Sequence, residues 1–249
     1  MVLARLFGRR HADEQEQLFK APGSSALTRW LRQGLEQGIC PLCRVVHKAD
    51  REYIWQFSEE GWANADTMGE LVQARGFCQE HAQMLVRIDV QAKSMLGIAG
   101  VYADLFEALL ERFDALDERD RTANALCPAC ANREQVLRQN VGYLLGLLED
   151  DPTFTERFRT STGLCFAHFG MIWTTGGSTG ARALLLAVQR RAIAVTGDQL
   201  REFIRKEGVE ARDEPKAGEQ LAWKRAIERT AGWPAQPASA GVPETSDQR

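Results

Sequence analysis

The sequence predicts an all-α protein, a duplicated helical domain of pseudo-twofold design stapled by two Cys3His metal sites. Three observations predict it. No segment alternates apolar and polar residues as a half-buried strand does, several segments repeat apolar residues at steps of three and four, and the cysteine and histidine motifs recur at one fixed offset. The 249 residues, 44% of them hydrophobic and 26% charged, are enough to bury a core and argue against global disorder. With 31 basic residues against 34 acidic ones, the net charge of −3 gives no whole-chain reason to expect nucleic acid or an anionic membrane as partner.

Residues 1–24 read as a poorly ordered leader that ends in the breaker cluster Pro22-Gly23-Ser24-Ser25. Helical repeat 1 spans 25–112. Its first helix carries Leu27, Trp30, Leu31 and Leu35 on one face and runs into Cys40. A second, over 44–60, carries Val45, Val46, Ile54, Trp55 and Phe57. Thr67-Met68-Gly69-Glu70 has the capping-box pattern and opens a short helix that Gly76 closes. Cys78 then starts what reads as the longest helix of the chain. Its seam is Leu85, Ile88, Ala92, Met95, Ala99, Tyr102, Phe106, Leu109, Phe113 and Leu116, a 3.5-residue period that packs against another helix.

Helical repeat 2 spans 113–234 and is expected to pack with the first as one domain. Val136, Val141, Leu144, Leu145 and Leu148 follow Cys130 in a helical run. Asp151-Pro152 reads as an N-cap with proline at the first helical position, and Phe154 and Phe158 form an i,i+4 apolar pair. After His168 the copies are expected to diverge, because residues 174–180 interrupt the helix. It resumes near Ala181 with Leu184, Leu185, Val188, Ala192 and Val195, then Leu200, Phe203 and Ile204. A charged linker over 207–218 precedes a last helix with Leu221, Trp223 and Ile227, and 235–249 reads as a disordered tail.

The cysteines carry the chemistry. Cys40-Pro41-Leu42-Cys43 is followed, 34 residues later (78 − 43 − 1), by Cys78-Gln79-Glu80-His81; Cys127-Pro128-Ala129-Cys130 is followed at the same gap by Cys165-Phe166-Ala167-His168. The offset is constant, since 127 − 40 and 168 − 81 are both 87. Every cysteine is used, with two of the four histidines. A CxxC turn converges two sulfurs on one point, and CxxH on a helix puts sulfur and imidazole on one face. The expected sites are therefore Cys40, Cys43, Cys78 and His81 in repeat 1, and Cys127, Cys130, Cys165 and His168 in repeat 2. Three thiolates and an imidazole are a tetrahedral zinc set with no place left for water, so two structural Zn²⁺ per chain are expected. An iron–sulfur cluster is the rival for the same donors, although the CxxCxxC run of bacterial ferredoxins is missing. Thiol redox chemistry at CPxC is a third reading and leaves the CxxH halves unexplained.

Other features weigh less. The Gly-rich residues 176–180 could offer N–H groups to an anion, or simply connect, with Ser178 or Thr179 capping the next helix. His47, four residues after Cys43, and Glu134, its equivalent 87 residues on, are conceivable extra ligands but fit a position outside the donor set better. Arg190, Arg191, Arg201, Arg205 and Lys206 form a modest basic cluster that reads as a solvated face. No Ser-His-Asp arrangement can be placed, so no catalytic residue is assigned. No run reaches the ~18–20 apolar residues of a membrane span, and a reducing cytoplasm suits free thiols and metal ligands.

The pairing of CPLC with GFCQEH, repeated as CPAC with GLCFAH, resembles an uncharacterised bacterial family known only as a domain of unknown function. The segment Ala222-Trp223-Lys224-Arg225-Ala226-Ile227 before Gly232 is similar to that family's C-terminal helix, and the resemblance covers roughly 27–233. Leu164 in place of Phe77 and the Gly-rich interruption depart from it. The resemblance implies a bacterial, metal-stabilised helical protein and no particular activity. The expected role is a protein-interaction or adaptor module with an unidentified protein partner. An iron–sulfur or thiol-redox protein and a nucleic-acid-binding regulator are the alternatives.

Overall fold

A computed structural model describes residues 26–60, 65–92, 95–114, 125–211 and 213–233. The leader and the tail lie outside them. Among the described residues there are α-helices and 3-10 turns and no strand, as the missing period-2 pattern requires. In chain order the helices are α1 (Ala26–Glu36), α2 (Pro41–Glu60), α3 (Ala65–Ala74), α4 (Gln79–Ala92) and α5 (Met95–Asp114). They continue as α6 (Pro128–Asp150), α7 (Pro152–Thr160), α8 (Phe166–Thr175), α9 (Thr179–Lys206) and α10 (Ala222–Ala231). No described helix is long and apolar enough to cross a membrane.

Three helix starts recur at the offset of the motifs: Pro41 and Pro128, Ala65 and Pro152, Gln79 and Phe166 each lie 87 residues apart. The compact units do not follow that repeat. Among the described residues, 26–44 and 144–233 form one unit and 45–143 the other, where the sequence reading divided the chain into 25–112 and 113–234. Helices α2 and α6 each begin in one unit and end in the other.

In the unit of Val45–Tyr143, Ile54 and Phe57 of α2 meet Leu71 of α3, Leu85 of α4 and Val101 and Leu105 of α5. This arrangement corrects the expected long helix. Leu105 Cδ2 lies 3.8 Å from where a Cβ on Gly76 would be, whereas one continuous helix would carry Leu105 about 40 Å beyond Cys78. Helix α5 therefore folds back on α3. Its buried face also shifts by one residue, to Val101 and Leu105, and Phe106 is 60% exposed. Ala92, Met95, Phe113 and Leu116 fall outside the residues whose side chains are described. After each CxxH the chain forms one helix and then a second, α4 and α5 after His81, α8 and α9 after His168.

The other unit is built on α7, α8 and α9. Asp151 caps α7 as predicted, accepting from Phe154 N–H at 2.9 Å, and its other oxygen takes Arg32 Nη2 of α1 at 2.5 Å. Phe154 and Phe158 are fully buried, each side chain worth about 1.5–3 kcal/mol in removal from water. Leu184, Leu185, Val188 and Ala192 of α9 are buried, but Val195 and Ile204 are exposed and Thr196 takes the inward position. Around the charged linker Arg205 pairs with Glu202 and Glu214, and Lys206 with Glu219. At the last helix Leu221, Trp223 and Ile227 are exposed, whereas Ala222, Arg229 and Trp233 are buried.

Candidate metal centres

All four motifs sit at helix N-termini. The carbonyls of Cys40, Cys78, Cys127 and Cys165 accept the first bonds of α2, α4, α6 and α8, from Arg44, Ala82, Ala131 and Phe169, at 2.8–3.1 Å. Each sulfur thus lies where unpaired N–H groups and the helix dipole favour a thiolate. Proline at the first helical position, Pro41 and Pro128, costs no hydrogen bond there.

The structure brings the eight residues together in two groups but pairs them across the repeats. Cys40, Cys43, Cys165 and His168 form one group, and Cys78, His81, Cys127 and Cys130 the other. The expected sets, each CPxC with the CxxH that follows it, are wrong. Helix lengths give the reason. The 20 residues of α2 span about 30 Å and the ten of α3 only about 15 Å, so even a full return along α3 would leave the chain about 15 Å from its start. The next CxxH is too far to share an ion. In chain order the pairing is nested, so we refer to the first group as the outer centre and the second as the inner centre. Each centre lies wholly within one compact unit.

In both centres the four donor atoms lie within 4.8 Å of one another. At the outer centre His168 Nδ1 is 3.4 Å from Cys40 Sγ, 3.4 Å from Cys43 Sγ and 3.3 Å from Cys165 Sγ, and Cys43 and Cys165 are 3.7 Å apart. At the inner centre His81 Nδ1 is 3.2 Å from Cys78, 3.6 Å from Cys127 and 3.5 Å from Cys130, with Cys78 and Cys130 3.7 Å apart. Zn–S of about 2.3 Å and Zn–N of about 2.0 Å at the tetrahedral angle require S···S near ~3.8 Å and S···N near ~3.5 Å. The observed edges match one metal ion per group. The S···S edges are far longer than a disulfide at about 2.0 Å, and none of the six cysteines is in a disulfide.

Without a cation the groups are electrostatically awkward. Burial pushes the Cys40 thiol well up, and Cys43 rises to about 12, chiefly through its hydrogen bond with Cys165, whose own thiol is driven down. At the inner centre burial pushes Cys130 up to about 12. Burial also opposes the Cys127 thiolate, yet His81 and backbone N–H groups bring it down to about 6. Each centre thus pairs one thiol that is driven down with neighbours that are driven up, Cys165 with Cys40 and Cys43, and Cys127 with Cys130. A divalent cation supplies the charge all three sulfurs need.

The inner centre has a second layer that the motifs do not announce. Asp50 of α2, 1% exposed, lies 3.3 Å from His81 Nε2, so the imidazole can present Nδ1 to a metal and donate its other N–H to a carboxylate. Arg133 of α6 holds Asp50 through Nε at 2.9 Å and Nη2 at 2.7 Å, and Glu80 at 2.9 Å. Burial works against a charged His81, but Asp50 and the sulfurs outweigh it and raise it to about 10. Asp50→Asn is expected to lower metal affinity at the inner centre about 10–100-fold and leave the outer centre unchanged. Chelator competition that resolves the two ions checks this, and an unchanged inner affinity would remove Asp50 from the site. At the outer centre a different residue orients the donors. Gln189 of α9 clamps the backbone of Leu164, accepting from its N–H at 3.2 Å and donating to its carbonyl at 3.0 Å. Gly163 beside it has φ 75°, and a Cβ there would stand 3.0 Å from Gln189 Oε1. Charged or amide residues on otherwise buried helix faces were the available sequence signal for Asp50 and Gln189.

The remaining candidates lie elsewhere. His47 and Glu134 belong to neither group; Glu134 pairs with Arg138 at 3.3 Å. Ser178 caps α9 as expected, and its own N–H donates to Glu149 at 2.8 Å, so a carboxylate of the chain takes the place an external anion would need. In the basic cluster Arg191 holds the carbonyls of Arg159 and Ser161, and Arg201 pairs with Asp198. No family model matches the chain, and neither a curated protein nor a solved structure does.

Proposed function

We propose that the chain binds one zinc ion in each Cys3His group, two per chain, and that both ions are structural. The donor separations support this reading, since those of 3.2–3.7 Å are close to the edges that a tetrahedron around one zinc ion would have. Four protein donors complete tetrahedral zinc and leave no position for water or substrate. An iron–sulfur cluster would put its thiolates on separate irons and space them further apart than one ion does. The pairing across repeats adds support, because each ion then ties together helix starts that are remote in sequence.

On this reading the protein is an interaction module whose helices are held rigid by metal. Helices α8 and α10 leave Phe166, Met171, Trp223 and Ile227 exposed, apolar area of the kind that protein partners cover. Such thiolate sites suit the reducing cytoplasm of a bacterium, as the family resemblance implies. Elemental analysis with a visible spectrum tests the metal. About two zinc per chain and a colourless protein are expected; a brown protein with iron and acid-labile sulfide would overturn the assignment.

A further inference from the structure

The two centres differ in what closes them. At the outer centre the sulfurs are buried, with Cys40 0%, Cys43 4% and Cys165 1% exposed. The end of α10 lies over them. Gly232, at φ 90°, approaches so closely that a Cβ there would stand 3.6 Å from Cys43 Sγ and 4.0 Å from Cys165 Sγ. The Trp233 backbone N–H donates to Cys43 Sγ. Arg229, 5% exposed, donates through Nη1 to the Thr162 carbonyl at 2.7 Å and is attracted by Cys40 and Cys165. Its Nε is buried with no hydrogen-bond partner among the described residues. Burying a guanidinium this way is costly unless a negative charge faces it. Three thiolates around a divalent cation leave one net negative charge, which Arg229 balances.

Among the described residues nothing comparable closes the inner centre: Cys127 is buried, but Cys78 and Cys130 are only half-buried, and the charged residues around it, Asp50, Glu80 and Arg133, add a net negative charge rather than a positive one.

We propose that Arg229, Gly232 and Trp233 form a lid on the outer centre, so that its ion is retained while the ion of the inner centre exchanges. The inference rests on the zinc reading above and extends it to regulation of the same sites. A chelator or an oxidant displaces zinc by reaching a sulfur, so the exposure of the sulfurs sets the rate. Asp50 strengthens the equilibrium hold of His81 from the far side of the ring and covers neither Cys78 nor Cys130. The kinetic order therefore follows the lid. The inner centre would be the one that passes zinc to, or takes it from, a competing thiolate or chelating ligand.

The test is timed alkylation of the full-length protein, its metal content first measured. Pyridylazoresorcinol takes the released zinc and N-ethylmaleimide traps the freed thiols, which mass spectrometry then locates. Cys78, Cys127 and Cys130 are expected to be labelled with release of the first ion, roughly tenfold or more before Cys40, Cys43 and Cys165. Arg229→Met, which keeps the bulk and removes the charge, is expected to speed the outer set about tenfold and leave the inner set unchanged. Equal rates or the reverse order in the wild type overturn the lid, as does an Arg229→Met protein with wild-type outer protection. A chain without bound metal overturns the zinc reading as well, whereas two ions released together overturn the lid alone.

Discussion

Replacing Cys165 by alanine is expected to free Cys40 and Cys43, more than a hundred residues earlier in the chain, and to spare the nearer pair Cys127 and Cys130. The crossed pairing dictates this outcome, since Cys43 Sγ is 3.7 Å from Cys165 Sγ across 122 residues. The variant should carry one ion instead of two. Alkylation should label Cys40 and Cys43 readily and leave Cys78, Cys127 and Cys130 protected. The cost in stability is large. Structural zinc binds finger peptides with about 10–16 kcal/mol, and a whole domain is stable by only about 5–15 kcal/mol. Losing the outer ion should therefore loosen the packing of Phe154, Phe158 and Leu164, while the cluster around Ile54 and Leu105 persists. Labelling of Cys127 and Cys130 in its place would restore pairing within each repeat and defeat the assignment.

The eight donor residues were legible in the sequence because ligand chemistry fixes both residue type and local spacing. Their partition was not, because it depends on where helices end. The sequence did contain a clue: a long helix after each CPxC and a short one before each CxxH. Two antiparallel helices return a chain to its start only if their lengths match. The all-α class and the Asp151 and Ser178 caps follow from local rules and hold in the structure. The seam across residues 85–116 failed because a 3.5-residue period persists by chance across a reversal of direction. Its second half turns off the seam, with Val101 and Leu105 buried and Phe106 exposed, and Leu105 lies against Gly76. The residues that sequence reading missed, Asp50, Gln189 and Arg229, share one property. Each is polar and buried, and its reason for being so lies on another helix.

Stripping both ions is expected to cost the protein its fixed tertiary packing while it keeps part of its helix. A metal ion at the outer centre would close a loop of 122 residues, and at the inner centre one of 46. On the chain-entropy model, closing loops of those lengths restricts the unfolded state by about 5 and about 4 kcal/mol. Either figure is comparable to the stability of a whole domain. Helix α8, ten residues long, is shorter than the ~12–15 residues an isolated helix needs in water, so it depends on being pinned at the outer centre through Cys165 and His168. Longer helices such as α2 and α9 retain apolar faces that can still associate. A strong chelator with reductant at neutral pH should therefore lower Tm by roughly 20 °C or more, erase most of the near-ultraviolet signal of the tryptophans and leave substantial far-ultraviolet helicity. Returning two equivalents of zinc should restore all three readouts. A protein shown by elemental analysis to be metal-free, yet with an unchanged Tm, would mean that helix packing alone specifies the fold.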